Sequence, residues 1–126
     1  MAKPFVVIEQ AVPDPESIHP GTFEEYARRA WLYYGKHNYE NSIKDFYKAL
    51  DSDPENVDIM FGLGLALKAD GKKEKAADAF EKTLLLIEKM ADHVRARMLK
   101  RLTIGHINQI RTGAWNLEKE LWQTKN

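Results

Sequence analysis

Catalysis needs reactive side chains that converge, and few in this chain are spaced to do so. His19, His37, His93 and His106 are scattered, without the H-E-x-x-H spacing that sets two imidazoles on one helical face, and they read as surface or turn histidines. There is no cysteine, which removes thiol nucleophiles, disulfides and cysteine-zinc sites. Nucleophilic hydrolysis would need a serine beside a base, but Ser17, Ser42 and Ser52 read as linker, packing and cap residues. Asp70-Gly71-Lys72-Lys73 lacks the glycine-rich spacing of a phosphate loop. Asp51-Ser52-Asp53 begins like a calcium loop, but Pro54 follows and the glycine and distal glutamate are missing. The expectation is a protein that is not an enzyme and carries neither metal nor cofactor.

Recognition is better served. Eight of the thirteen aromatic residues fall between Phe23 and Tyr47. Tyr26, Tyr33 and Phe46 read as core, whereas Trp31 and Tyr34 lie with Ala27 on an adjacent helical face. Residues 92–111 carry Arg95, Arg97, Lys100, Arg101 and Arg111 against Asp92 alone. Arg97, Lys100 and Arg101 share a helical face. It reads as a solvated face or a salt-bridged interface with an acidic partner. A phosphate- or RNA-binding patch is the weaker alternative, because no aromatics interleave with these cations. Trp115 and Trp122, seven apart, share a face of the last helix and form a candidate assembly surface for a homo-oligomer or larger complex.

The scaffold behind these residues is small. At 126 residues, one domain is expected. Apolar residues at 44% and charged residues at 30% fit a soluble globular or helical-repeat chain. Nineteen basic residues cancel nineteen acidic ones, so no global field favours nucleic acid or acidic lipid. The uncharged apolar runs, Phe5–Ile8 and Leu84–Ile87 among them, are far short of a membrane span. The first residues make a poor secretion signal. A soluble, cytoplasmic protein without membrane insertion is the expectation.

Residues 1–21 read as an extended arm, since Pro13, Pro15 and Pro20 forbid a regular helix. The stretch from Ile8 to Thr22 can span on the order of 40 Å, so the apolar Phe5–Ile8 could dock on this chain or a neighbour. Thr22-Phe23-Glu24-Glu25 is a capping box that opens the first helix. His37-Asn38 reads as a turn, and a second helix runs from about Tyr39 to Asp51. Ser52-Asp53-Pro54-Glu55 reads as a second capping box with proline in the first turn of a third helix, which ends before Asp70-Gly71. A fourth helix carries Ala76, Ala77, Phe80, Leu84 and Ile87.

The chain repeats itself. A shift of 34 residues lays Tyr26 on Met60, Ala30 on Gly64, Tyr33 on Leu67, Ser42 on Ala76, Phe46 on Phe80 and Leu50 on Leu84, with the turns at His37 and Gly71 coinciding. Two helices pack closely where one offers a small residue to the other's bulky one. Ala30, Gly64, Ser42 and Ala76 read as holes, and Tyr33, Phe46 and Phe80 as knobs. At these residues the chain resembles the tetratricopeptide repeat family. Its first repeat, about 23–56, departs at Arg29, where leucine is usual. Its second, about 57–90, departs at Met60, Thr83 and Glu88. Without the closing proline at Glu88, the fourth helix is expected to overrun. Gly105 suggests a third turn. Residues 91–126 then form a degenerate third repeat or capping helix pair, although Arg97, Met98 and Arg101 stand where the family keeps leucine, a small residue and an aromatic.

The resemblance implies an all-α fold of stacked antiparallel helical hairpins over residues 22–126, closed by that C-terminal pair. It also implies a concave groove lined by the first helix of each hairpin. That places Ala27, Trp31, Tyr34, Phe61 and Leu65 in the groove, with Arg28, Lys68 and Arg95 at its margin, unless terminal segments of the chain cover this face. The lysine-asparagine clamp by which some members hold a C-terminal carboxylate is absent: its places hold Ala27, Trp31, Gly62, Asp92 and Ala96. The expected function is a non-catalytic adaptor or accessory subunit that binds a protein or peptide with bulky apolar and acidic residues. The alternative is an assembly subunit working through its terminal helices. An RNA-associated factor using residues 95–101 stands third.

Overall fold

The computed structural model describes residues 12–117. Among them are five α-helices and no strand: α1 (Phe23–Gly35), α2 (Tyr39–Ser52), α3 (Val57–Ala69), α4 (Lys73–Ile87) and α5 (His93–Thr112). None is long and apolar enough to cross a membrane. The helices α1 and α2 form one antiparallel hairpin and α3 and α4 a second; α2 packs on α3, and α4 on α5. This is the expected all-α stack of hairpins.

Local signals account for most helix ends. The Thr22 hydroxyl accepts the Glu25 amide at 3.3 Å, while the Glu25 carboxylate reaches back to the Gly21 amide at 3.1 Å. That bond, joined by one from the Thr22 hydroxyl, holds the Glu25 pKa below its ordinary value. Asn38 caps α2 through the Asn41 amide, and His37 takes a left-handed φ of 62° in the turn before it. The third helix starts later than its sequence suggests. Its cap is Asn56, which accepts the Ile59 amide at 3.1 Å while its own amide donates to Asp53 at 3.0 Å. Pro54 therefore lies in the turn, outside the helix. At the far end α4 does not overrun: it stops at Ile87, where two tight turns, Lys89 to Leu86 and Met90 to Ile87, close its last carbonyls.

The third turn is also displaced. Asp92 caps α5 through the Arg95 amide, and the helix then runs unbroken through Gly105 to Thr112. Gly105 is a packing residue, not a turn residue: a side chain there would run into the indole of Trp115. The stop falls at Gly113, whose φ of 80° suits a residue without a Cβ and whose amide bonds back to Gln109 at 2.9 Å. Leu117, the last described residue, is buried, and the rest of the expected C-terminal helix lies outside the described residues.

Holes and knobs pack the core. The Ser42 hydroxyl donates to the Ala30 carbonyl at 2.8 Å, so α1 and α2 touch nearly backbone to backbone. A Cβ at Gly64 would lie 2.6 Å from the Phe80 ring, and one at Gly62 would lie 2.7 Å from the Phe46 ring. Both rings are fully buried.

The described part of the arm, Val12 to Thr22, is not free. It runs antiparallel along α1, contact by contact: Asp14 with Lys36 at 3.6 Å, Glu16 with the Tyr33 hydroxyl at 2.8 Å, the Ile18 carbonyl with Arg29 at 3.1 Å. Pro15 is buried there in a 3-10 turn, Pro15–Ser17. Arg29 also grips Asp45 of α2 with two bonds, 2.7 and 2.9 Å, and these raise its pKa. This is why arginine stands where leucine is usual: it ties the arm and both helices of the first hairpin together. The segment Phe5–Ile8 lies outside the described residues.

Two substitutions test this account. Asp45→Ala leaves a largely buried guanidinium without its partner and should cost about 2 kcal/mol in urea unfolding, less than a fully buried pair because Arg29 keeps some solvent. Arg29→Leu with Asp45→Leu should recover most of that loss. Gly105→Ala should cost about 1–3 kcal/mol and shift the tryptophan fluorescence, since the added methyl displaces the Trp115 ring.

Candidate partner-binding face

The first helices of successive units lie side by side, which sets the expected groove residues on neighbouring elements. Trp31 on α1 stands edge-on to Phe46 at 5.1 Å and to Tyr34 at 5.9 Å. Its ring reaches α3 at Gly62, where a Cβ would come within 2.8 Å of it. Tyr34 continues the row onto Tyr39 at 5.6 Å. The indole is thus wedged on three sides yet remains 39% exposed. Ala27 and Leu65 are half-buried along the same helices, and Arg28 is exposed.

Phe61, next to Gly62, belongs to a second cluster where α3, α4 and α5 meet. It meets Phe80 at 5.7 Å and His106 at 5.8 Å. His106 stacks flat on Phe80 at 5.2 Å and meets the edge of Trp115 at 4.8 Å. Trp115, expected on an assembly surface, is instead half-buried, because the missing side chain of Gly105 lets its indole settle onto α5. Trp122 lies outside the described residues. The described arm follows the Arg29 and Tyr33 side of α1 and leaves Trp31 open.

The expected cations differ in kind. Lys68 reaches across to α5, with its ammonium 2.9 Å from His106 Nδ1 and bonded to Gln109 Oε1. An ammonium only donates, so Nδ1 accepts and the imidazole proton sits on Nε2. Both partners are neutral, so the charge of Lys68 is uncompensated among the described residues, and burial lowers its pKa. Arg95 is paired with Asp58 on α3, which cancels its charge at the margin. Among the described residues, no three His, Cys, Asp or Glu side chains converge as metal ligands would.

His106 is the residue that sequence reasoning missed. A turn at Gly105 would put it in a loop. With α5 unbroken it falls in line with Thr103 and Ile110, on the face turned to the core. Burial among rings, with the Lys68 charge beside it, pushes its pKa down to about 4. An unfolded chain protonates this imidazole near 6.5. Below that pH the unfolded state holds a proton that the folded state refuses until about 4. Stability should therefore fall as pH drops through this window, with no further loss from this group below it. His106→Gln keeps an acceptor for Lys68 but cannot titrate there. Urea unfolding across the window should show a shallower pH slope for the variant than for the wild type.

Residues 26–56 match the family model described as tetratricopeptide repeat. No curated protein and no solved structure shows a significant match to the chain. The matched segment covers most of α1 and all of α2, and the same pairing of small residue and ring returns at Gly64 and Phe80 in the next hairpin. On that match, residues 26–56 form a tetratricopeptide repeat, and the hairpin that follows is similar to it in its packing.

Proposed function

We propose that the protein is a cytoplasmic, non-catalytic interaction module, an adaptor or accessory subunit, that holds a partner segment across α1, α3 and α5. Trp31 carries this reading. A large ring that is already fixed by Phe46, Tyr34 and Gly62, and still 39% exposed, loses little freedom when a partner covers it. Phe61 and Leu65, half-buried on α3, extend the apolar strip beside it. The charge of Lys68, without an acidic partner among the described residues, favours an acidic group on the partner at one end, and exposed Arg28 supports it from α1. Arg95 contributes little, being neutralised by Asp58. The favoured ligand is a peptide with a bulky apolar anchor for the strip and a carboxylate for Lys68.

A displayed library of random peptides, selected on the folded protein, tests this. Selected sequences should share a bulky apolar residue and an acid. Trp31→Ala should weaken them by about thirty-fold, the scale of an aromatic anchor. Lys68→Gln should remove the preference for acid while sparing the apolar anchor. Selected peptides indifferent to Trp31→Ala, in a variant that circular dichroism shows to be folded, would refute the reading.

A further inference from the structure

The helix α5 has a second face that the groove does not use. Val94, Met98 and Leu102 are 60%, 64% and 45% exposed, and their i, i+4, i+8 spacing makes one stripe about 12 Å long. The repeat shows what this side normally meets. Met98 stands 34 residues after Gly64, which faces Phe80 of α4, and Gly64 stands 34 after Ala30, which faces Ser42 of α2. Met98 has no such partner among the described residues. The turn at Gly113 comes late, and Trp115 seats the returning chain over Gly105, roughly 10 Å further along α5. A methionine in place of glycine or alanine also prevents the backbone-close contact of the first two hairpins.

Charge identifies the occupant. Arg97 and Arg101 line one edge of the stripe, and neither forms an ion pair among the described residues. On the other edge Arg95 is already matched by Asp58. Beyond Arg97, a cleft of about 380 Å³ at the end of α4 is lined by Ile87, Glu88, Met90, His93 and Lys100, so its charge is mixed and the cationic edge is carried by Arg97 and Arg101 themselves. A second copy of the chain is disfavoured: antiparallel pairing of two such faces opposes Arg97 to Arg101, and parallel pairing offers them no free carboxylate, because Asp58 is already held by Arg95. RNA is disfavoured because the stripe between the cations is aliphatic and α5 carries no Phe, Tyr or Trp on which a base could stack. We infer that this face docks an acidic amphipathic helix of a partner protein, its apolar side on Val94, Met98 and Leu102 and its carboxylates along Arg97 and Arg101.

The test uses the full chain and a fluorescein-labelled helical peptide about five turns long, with leucine along one stripe and glutamate along one edge. Fluorescence anisotropy should show binding that weakens with salt. Binding should weaken by about ten-fold or more in Met98→Glu and in Arg97→Glu with Arg101→Glu, all exposed positions whose folding circular dichroism can confirm. The doubly reversed variant should instead prefer a peptide with lysine for glutamate. Any of four results overturns the inference: no binding; equal binding of the acidic and basic peptides; preference for an oligouridine lost in the same variants; or binding only after residues 118–126 are deleted, which would assign the face to the chain's own C-terminus.

Discussion

The architecture depends on the places where a helix lacks a side chain so that a ring can occupy the space. Gly62 admits Phe46 and Trp31, Gly64 admits Phe80, and Gly105 admits Trp115. Each pairing lets a ring lie against a helix backbone, and together with the buried aliphatic residues around Phe46 and Phe80 these contacts form the core of a small protein. The constraint is steric, so it tolerates little. A single methyl in any of these spaces meets ring carbons at distances that real side chains do not adopt. The same constraint orients the exposed surface. Because Gly62 has no Cβ, the Trp31 indole can lie across from α1 to α3 with one side turned to solvent.

A stack of hairpins has ends, and the N-terminal end is closed by polar means. Where an apolar residue would await a preceding helix, Arg29 binds the Asp45 carboxylate and the Ile18 carbonyl, and lies 5.8 Å from the Tyr26 and Tyr33 ring centres. Tyr33 in turn donates to Glu16, which raises the pKa of the phenol. The proline-rich segment suits this task. Its fixed backbone angles keep it extended, so it loses little entropy in lying along α1, and buried Pro15 gives it one apolar foothold.

The first two hairpins were legible in the sequence because their periodicity, caps and small-large pairs agree. Thr22, Asn38 and Gly71 mark their boundaries, and a repeat of constant length confirms the register. The errors share a cause: a residue with a strong local meaning was serving a tertiary one. Ser52-Asp53-Pro54-Glu55 has the composition of a helix start, yet Asn56 satisfies the Ile59 amide and is itself held by Asp53, so the helix begins later. Gly105 has the composition of a turn, yet its value is the space it leaves for Trp115. That second misreading hid His106 and turned Trp115 outward, because both depend on α5 being continuous. The groove residues Trp31 and Tyr34 could be placed on one face from spacing alone. The pairing of Arg95 with Asp58 could not, since the two are brought together only by the packing of α3 against α5.

The length of α5 connects these points. In the first two units the turn arrives soon enough for the second helix to cover the first. In the third it is postponed to Gly113, and the extra turns carry Gly105, His106 and Gln109 over α3 and α4. They supply the imidazole that fills the space between Phe61 and Phe80 and the amide that helps to hold Lys68. The longer helix thus completes one wall of the candidate groove, while no other described element covers the exposed Val94, Met98 and Leu102 of its first turns. One change in the position of a turn accounts both for a neutral, ring-packed histidine inside and for the aliphatic, arginine-edged stripe outside.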